Sequence, residues 1–452
     1  MRRFALLLFA GVPSVLGAQG FGVYEHSACV MGRAGVTAAT PCADGSAIFF
    51  NPAGLAGLAG TRASAGLTLI SASGDFTDDF LARSTPLDNP IIPVPNAFFT
   101  HALSPRLTLG VGAFAPYGLE TKWPTDGFDG RFLGYNTVLR AIYVQPTIGY
   151  QVKDWLKIGI GAAFVHSSLE LHQRVDLATQ RLPPPAPAGA TFESLGLLRG
   201  TDFADATLTA SGNGFAVNFG GIIKVSDKLS IGGHWLTKKT IDYDGDAAFT
   251  QIATGLTLPP NNPLGLPGGT PVDALVTAQF GAGGALANGA AHTSITLPPQ
   301  GSIGVTYRIR DNWAIMADYQ YVVWGWLASV VVDFDNPATP SLVLTPDGKD
   351  THGFRFGTEY VRSEKLTLRA GYLYHTAALA DDFITPLLPE APRNEFTAGV
   401  SYQLSTRLQG DLAYQYLQQN DRRGRVFEAA VGNTGVYKFS AHLLGAGLAF
   451  TF

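Results

Sequence analysis

The sequence predicts an all-β protein: a transmembrane antiparallel β-barrel of about 14 strands, with an N-terminal hatch, or plug, segment in its lumen. Three observations predict it. The C-terminal residues alternate, with Leu444, Ala446, Leu448, Phe450 and Phe452 on one face and Gly445, Gly447, Ala449 and Thr451 on the other. That is the period-two pattern of a strand with one apolar side. Short polar turns and long loops take turns along the chain, as they do where strands cross a membrane and return. Charged residues make up only 15% and hydrophobic residues 46%, yet beyond the N-terminus no apolar run approaches the roughly 18 residues of a spanning helix.

The chain opens with Met1-Arg2-Arg3, an apolar run from Phe4 to Ala10, and small residues at Gly17 and Ala18. This is the layout of a secretory signal peptide over residues 1–18, cleaved after Gly17 or Ala18. Export combined with strand periodicity points to a multi-pass barrel in the bacterial outer membrane. Residues 19–60 follow, rich in Gly and Ala and without sustained alternation. They are too apolar for a solvated tail and too few to bury a core alone. A barrel of this size would otherwise leave a pore, so the segment reads as a lumen plug. It holds both cysteines, Cys29 and Cys42. In an oxidising compartment they can pair, contributing about 3 kcal/mol; two buried free thiols are the alternative.

The barrel itself is expected over residues 61–452. Ile142, Val144, Ile148 and Tyr150 oppose Tyr143, Gln145, Thr147 and Gly149, and the same alternation recurs at 365–374, 396–404 and 408–416. The apolar faces end in Tyr or Phe, as at lipid headgroups. The opposite faces carry Gln, Thr, Asp and Arg, so the interior is wet or packed with polar groups. Tight turns fall at 104–106, 153–154, 226–228, 310–312, 362–365 and 405–407, and long loops near 72–90, 119–136, 174–204, 251–291, 337–350, 378–393 and 420–436. About thirteen connections require about fourteen strands, an even number that returns both ends to the periplasmic side. The terminal Phe452 is the expected contact for the barrel-assembly machinery.

The net charge of −4 offers no basic patch, so nucleic acid is not an expected partner. Gly110-Val111-Gly112 and Gly159-Ile160-Gly161 sit inside strands rather than at strand–helix turns, so they are lumen-facing gaps and not phosphate cradles. No cofactor or metal is expected. A soluble β-sandwich or propeller would bury its apolar faces against each other and would lack the alternation of loop lengths.

Several short elements, taken in order, carry a resemblance. They are Gly20-Phe21-Gly22, Gly32-Arg33-Ala34, Asn51-Pro52-Ala53, Val94-Pro95-Asn96, Pro116-Tyr117-Gly118-Leu119, Trp313-Ala314-Ile315, Leu388-Pro389 to Arg393, and the final Phe452. Together they resemble the FadL/TodX outer-membrane transporters for long-chain fatty acids and other hydrophobic compounds, over essentially the whole mature chain. The resemblance implies a fourteen-stranded barrel with a hatch containing Gly20, Phe21, Asn51, Pro52 and Ala53. It also implies uptake of an apolar ligand into a hydrophobic pocket, and a lateral opening at a kink in the third strand. By position that strand is 107–118. Pro116 lacks an N–H and Gly118 lacks a side chain, an independent reason for the ladder to weaken there; the alternative is a turn at a loop mouth.

The family's fatty-acid members place basic side chains near the ligand carboxylate. The matching stretch here holds His172, Gln173 and Arg174, so His172 and Arg174 are the headgroup candidates. The second basic position falls near 330–332, which has no Lys or Arg, and this leaves neutral hydrocarbons or aromatics as cargo. The apolar, Pro-rich loops 174–204 and 251–291 read as a greasy landing site or as low-complexity loop tips. The expected protein is a passive, monomeric transporter with outer-membrane lipid and a hydrophobic small molecule as its partners. It is not an enzyme: His101, His166, His234 and His375 have no nucleophile at a telling spacing. A general diffusion porin and a purely adhesive barrel are the rival readings.

Overall fold

The computed structural model describes residues 20–182, 185–380, 383–424 and 434–452. The expected signal peptide and part of the last long loop lie outside these residues. The chain closes into an antiparallel barrel of 14 strands. They are β1 (Thr61–Asp78), β2 (Ile92–Ala102), β3 (Leu107–Lys122), β4 (Asn136–Lys153), β5 (Leu156–Asp176), β6 (Asp202–Lys224), β7 (Leu229–Leu236 and Lys239–Gln251), β8 (Gly289–Leu297 and Gln300–Arg310), β9 (Trp313–Val322 and Val330–Phe334), β10 (Leu342–Leu344 and Thr351–Val361), β11 (Leu366–His375), β12 (Arg393–Gln403), β13 (Leu408–Gln419) and β14 (Gly435–Thr451). β14 returns to β1 in one register, from Arg62↔Thr451 to Asp78↔Gly435. Closure joins the first strand to the last and so removes the two terminal sheet edges, which in lipid would expose unpaired backbone groups at several kcal/mol each.

The period-two alternation sets the two faces. Ile142, Val144, Ile148, Phe396, Leu412, Leu444 and Leu448 stand outward and exposed, toward acyl chains. Their inward neighbours Gln145, Thr147, Thr397, Asp411 and Gln415 are buried. The short turns fall where the polar clusters predict them. The strands run beyond their expected ends, β1 to Asp78 and β3 to Lys122, because ladder pairing continues past the level at which the apolar face stops. β7 to β10 are each interrupted. Pro298 and Pro299 remove two donors from β8 and force the break there, and the neighbouring wall turns inward through a short 3-10 turn, Trp324–Trp326.

Residues 20–60 carry two short helices, α1 (Ala28–Met31) and α2 (Ala47–Phe50), and a 3-10 turn over Pro52–Leu55. Most of them are buried, and strands around the barrel hold them. Thr68 of β1 donates to the Glu25 carbonyl at 2.8 Å, and Gln145 of β4 to that of Ile48 at 2.6 Å. Asn218 of β6 donates to the Phe49 carbonyl at 2.6 Å. Asp318 of β9 accepts from the backbone N–H groups of Thr37 and Ala38 at 2.8 and 2.9 Å. Thr397 of β12 and Gln415 of β13 complete the ring through Ala34 and Glu25. The polar inward face therefore satisfies the backbone of the enclosed segment, as buried polar groups require. Cys29 and Cys42 are disulfide-bonded, with their Cα atoms 6.4 Å apart.

Candidate functional site

The ladder between β2 and β3 stops short. β2 pairs with β1 along its whole length, from Thr61↔His101 to Ile70↔Ile92. Its pairing with β3 spans only Ala102↔Thr108 to Ala97↔Ala113. Pro93 and Pro95 lie two residues apart, and alternate N–H groups point to alternate edges, so both donors are lost from one edge of β2. On its other side β3 slips register against β4 between Phe114 and Tyr117. Pro116, Tyr117 and Gly118 thus lie within a strand, not at a loop mouth.

The enclosed segment takes the place that β2 leaves. The Val23 N–H donates to the Pro116 carbonyl, and the Gly118 N–H donates to the Phe21 carbonyl, both at 2.9 Å. Gly22 and Tyr117 form an isolated antiparallel bridge. A cavity of about 320 Å³ lies at this gap, lined by Val23, Ile92, Pro95, Phe114, Leu119 and Ile142 among others, with Glu120 and Arg140 paired at 3.2 Å on its rim.

Phe21 is clamped from the far wall. Its ring meets Trp324 at 4.7 Å and Tyr117 at 6.2 Å, edge-on in both cases. Tyr117 donates to the Pro298 carbonyl at 2.6 Å and accepts from Gln300 at 2.8 Å, so the break in β8 supplies the acceptor that fixes this ring. Gly20 is left-handed at φ 58°, and a Cβ there would meet Trp324 at 2.6 Å. Deeper in, Asn51 donates to the Ala38 and Gly221 carbonyls at 2.6 and 3.2 Å and accepts from the Ala53 N–H at 3.1 Å, so Asn51-Pro52-Ala53 caps the 3-10 turn and ties it to β6. Gly159 permits the approach: a Cβ there would lie 2.2 Å from the Pro52 carbonyl carbon.

The outer end holds a larger cavity of about 680 Å³, floored by Leu171, Leu208, Ala247, Val332 and Phe334. Loop residues 177–182, 185–201 and 252–288 cover it. Their apolar side chains, among them Leu182, Phe192, Leu258, Leu264, Val272 and Val276, bury one another rather than forming an open greasy surface. Asp273 fastens loop 252–288 by accepting from the Thr254 hydroxyl and N–H and from the Gly255 N–H. Partial burial pushes its carboxyl upward, but these donors outweigh that and hold it below the usual carboxylate range.

His172 and Arg174 do not line this cavity. Strand alternation gives them the outward phase of Ile158, Ile160 and Phe164, while Leu171, Gln173 and Val175 face the cavity. Each is already engaged, His172 with Glu170 at 2.7 Å and Arg174 with Asp205 at 3.5 Å. One residue of phase separates the sequence reading from the geometry. Val332, in the stretch without a basic side chain, is part of the floor.

A family model described as outer membrane protein transport protein (OMPP1/FadL/TodX) matches residues 9–452. The chain belongs to this family. It is 24% identical over 443 residues to the long-chain fatty acid transport protein of Escherichia coli O6:H1, covering 96% of this chain and 94% of that one. It is 24% identical over 446 residues to a putative outer membrane protein of Neisseria meningitidis serogroup B, covering 92% and 90%. A Pseudomonas aeruginosa FadL homologue superposes with a TM-score of 0.81 at 16% identity, over 96% of this chain and 100% of that one. The P. putida toluene transporter TodX gives 0.69 at 17% identity, over 97% and 99%. At these identities the two structures speak to the fold alone. The protein is a bacterial outer-membrane β-barrel of a transport family.

Sequence reasoning singled out Phe21, Asn51 and Pro116, but not Val23, Trp324 and Pro298, which the structure sets against Pro116, Phe21 and Tyr117. Pro298-Pro299 inside an otherwise strand-like run is the signal that could have pointed to the break in the wall.

Proposed function

We propose that this barrel takes up apolar small molecules from the outer face and releases them sideways into the membrane between β2 and β3, with residues 20–60 acting as the hatch. The observation that carries this reading is the unpaired stretch of β2 and β3 beside an apolar cavity, closed only by the Phe21 and Val23 backbone. A cargo burying about 200 Å² of apolar surface gains about 5 kcal/mol over water, so a sideways exit avoids re-exposing it. Relatives named as long-chain fatty acid and toluene transporters support the cargo class. The phase of His172 and Arg174, their acidic partners and the apolar floor at Val332 favour neutral hydrocarbon or aromatic cargo over a carboxylate. The buried segment argues against a general porin and makes transport, not catalysis, the reading.

The test is uptake of a radiolabelled aromatic hydrocarbon and of a long-chain fatty acid by cells producing the protein, with planar-bilayer conductance alongside. Hydrocarbon uptake with little steady current is expected. A large steady current would replace the reading with a diffusion porin.

A further inference from the structure

At the short-turn end, a cavity of about 390 Å³ lies between the enclosed segment and the wall, with the Cys29–Cys42 disulfide on one side. Arg33, Arg62, Arg369 and Arg407 line it against only Asp44 and Glu359. The acids are already committed. Glu359 lies 3.6 Å from Arg33 and 2.7 Å from Arg369, which also faces Asp411 at 3.9 Å. Asp44 accepts from the hydroxyls of Ser27 and Ser46. Two of the four cations make no ion pair among the described residues, and with Asp44 as the one carboxylate not paired to an arginine they leave the cavity with a net positive charge. Arg62 donates only to the Ala43 carbonyl, at 3.0 Å, and Arg407 has no carboxylate partner among the described residues. The Nε atoms of Arg33 and Arg62 are buried without an acceptor, and Arg33 is 1% exposed. Buried donors of this kind call for an anion.

Directly across the wall, on the lipid side of β1 and β12–β14, lies a groove of about 590 Å³. Ala65, Gly66, Gly410, Ala446 and Gly447 form its floor between Leu67, Leu404, Leu412 and Leu448. Alternation sets the two hollows back to back. Gln403, Gln409 and Ala449 face the cationic cavity, while Leu404, Gly410 and Leu448 face the groove. They approach each other at the rim, where Arg407 projects from the turn after the exposed Leu404 and beside the exposed Phe452. Exposed apolar residues with a cation in the turn next to them mark the depth of lipid phosphates.

We propose that this seam binds a phosphate group, that of an inner-leaflet phospholipid, with the phosphate held by Arg62 and Arg407 at the cavity mouth and an acyl chain in the groove. Bound there, the lipid steadies the short-turn face of residues 20–60 through Arg33 and the disulfide. This does not depend on the uptake reading.

The test is native mass spectrometry of the purified full chain equilibrated with phosphatidylglycerol or with diacylglycerol of the same chains, beside a calorimetric titration with inorganic phosphate. One phosphatidylglycerol per barrel is expected, with diacylglycerol not retained. Arg62→Gln with Arg407→Gln should weaken retention about thirtyfold, the effect of removing two cations at an anionic lipid surface. Heat-dependent gel mobility confirms that the variant barrel is folded. Ala446→Phe, which fills the groove, should lower lipid retention and spare phosphate binding. Equal retention of phosphatidylglycerol by the double variant, or equal retention of diacylglycerol, would overturn the site. Inorganic phosphate binding without any lipid preference would overturn the lipid as its source.

Discussion

The Val23 N–H donates to the Pro116 carbonyl at 2.9 Å, a place in the ladder that the next barrel strand would ordinarily fill. Two backbone bonds, this one and that from Gly118 to Phe21, are all that substitute for β2 there. At roughly 1 kcal/mol net for each bond, parting them would break no strand–strand pair of the barrel, but the Phe21 ring contacts with Trp324 and Tyr117 would have to part as well.

Gly118 has room for a Cβ, with Val23 Cγ2 at 3.6 Å as the nearest atom, and it lines the cavity at the gap, which a long side chain would fill. Gly118→Ala should keep near-normal hydrocarbon uptake. Gly118→Arg should abolish it while the barrel still folds, as judged by heat-dependent gel mobility. Undiminished uptake by Gly118→Arg would refute the sideways exit.

Phe21→Ala removes the ring packed against Trp324 and Tyr117, a loss of about 3 kcal/mol for a buried Phe. Faster hydrogen exchange at residues 20–26 and a larger bilayer conductance are expected. Exchange as slow as in the unaltered protein would mean that the clamp does not hold the segment.

Asn51→Ala removes the side-chain bonds to the Ala38 and Gly221 carbonyls and uncaps the 3-10 turn, at about 2 kcal/mol. Gly159→Leu drives a side chain into Pro52. Both changes should loosen residues 45–60 without opening the barrel ladder, which limited proteolysis under native conditions would read as new cleavage confined to that segment.

The Cys29–Cys42 bond closes a short loop, and its loss should cost the enclosed segment about 3 kcal/mol. Intact mass without reductant should be lower by two hydrogens. A free-thiol mass would end the assignment, and Cys29→Ser with Cys42→Ser should raise hydrogen exchange in residues 28–44.

The Asp273 carboxyl is held below its unfolded value, near 3.9, so its contribution is present above that pH and is lost as pH falls through the folded pKa. Loop 252–288 should therefore resist acid-stable protease at pH 5 and loosen near pH 3. Asp273→Asn should be cut alike at both, and an unaltered protein equally resistant at both would remove Asp273 as the fastening.

Much of this was legible in the residues. The turns at 104–106 and 405–407 could be read because Pro, Ser and charged residues punctuate alternation, and the outward faces of β4 and β13 because acyl chains demand an apolar residue at every second position. Asn51-Pro52-Ala53 and Pro116 stood out for their backbone chemistry. That His172 and Arg174 fall off the cavity face has the same physical origin: with a period of two, a one-residue shift in alignment reverses the face. The strand ends were illegible because the hydrogen-bond ladder continues after the lipid contrast ends. Trp324 was illegible because its role depends on a break two strands wide.

Alternation by itself determined that this chain closes into a cylinder with an apolar outside, since each strand must satisfy lipid on one face and its neighbours along both edges. Only the tertiary structure decided which ladder bonds are missing and what stands in for them. Those bonds join residues nearly a hundred positions apart, Val23 to Pro116, or farther, Tyr117 to Pro298, and a local pattern carries no record of partners that meet only when the barrel closes.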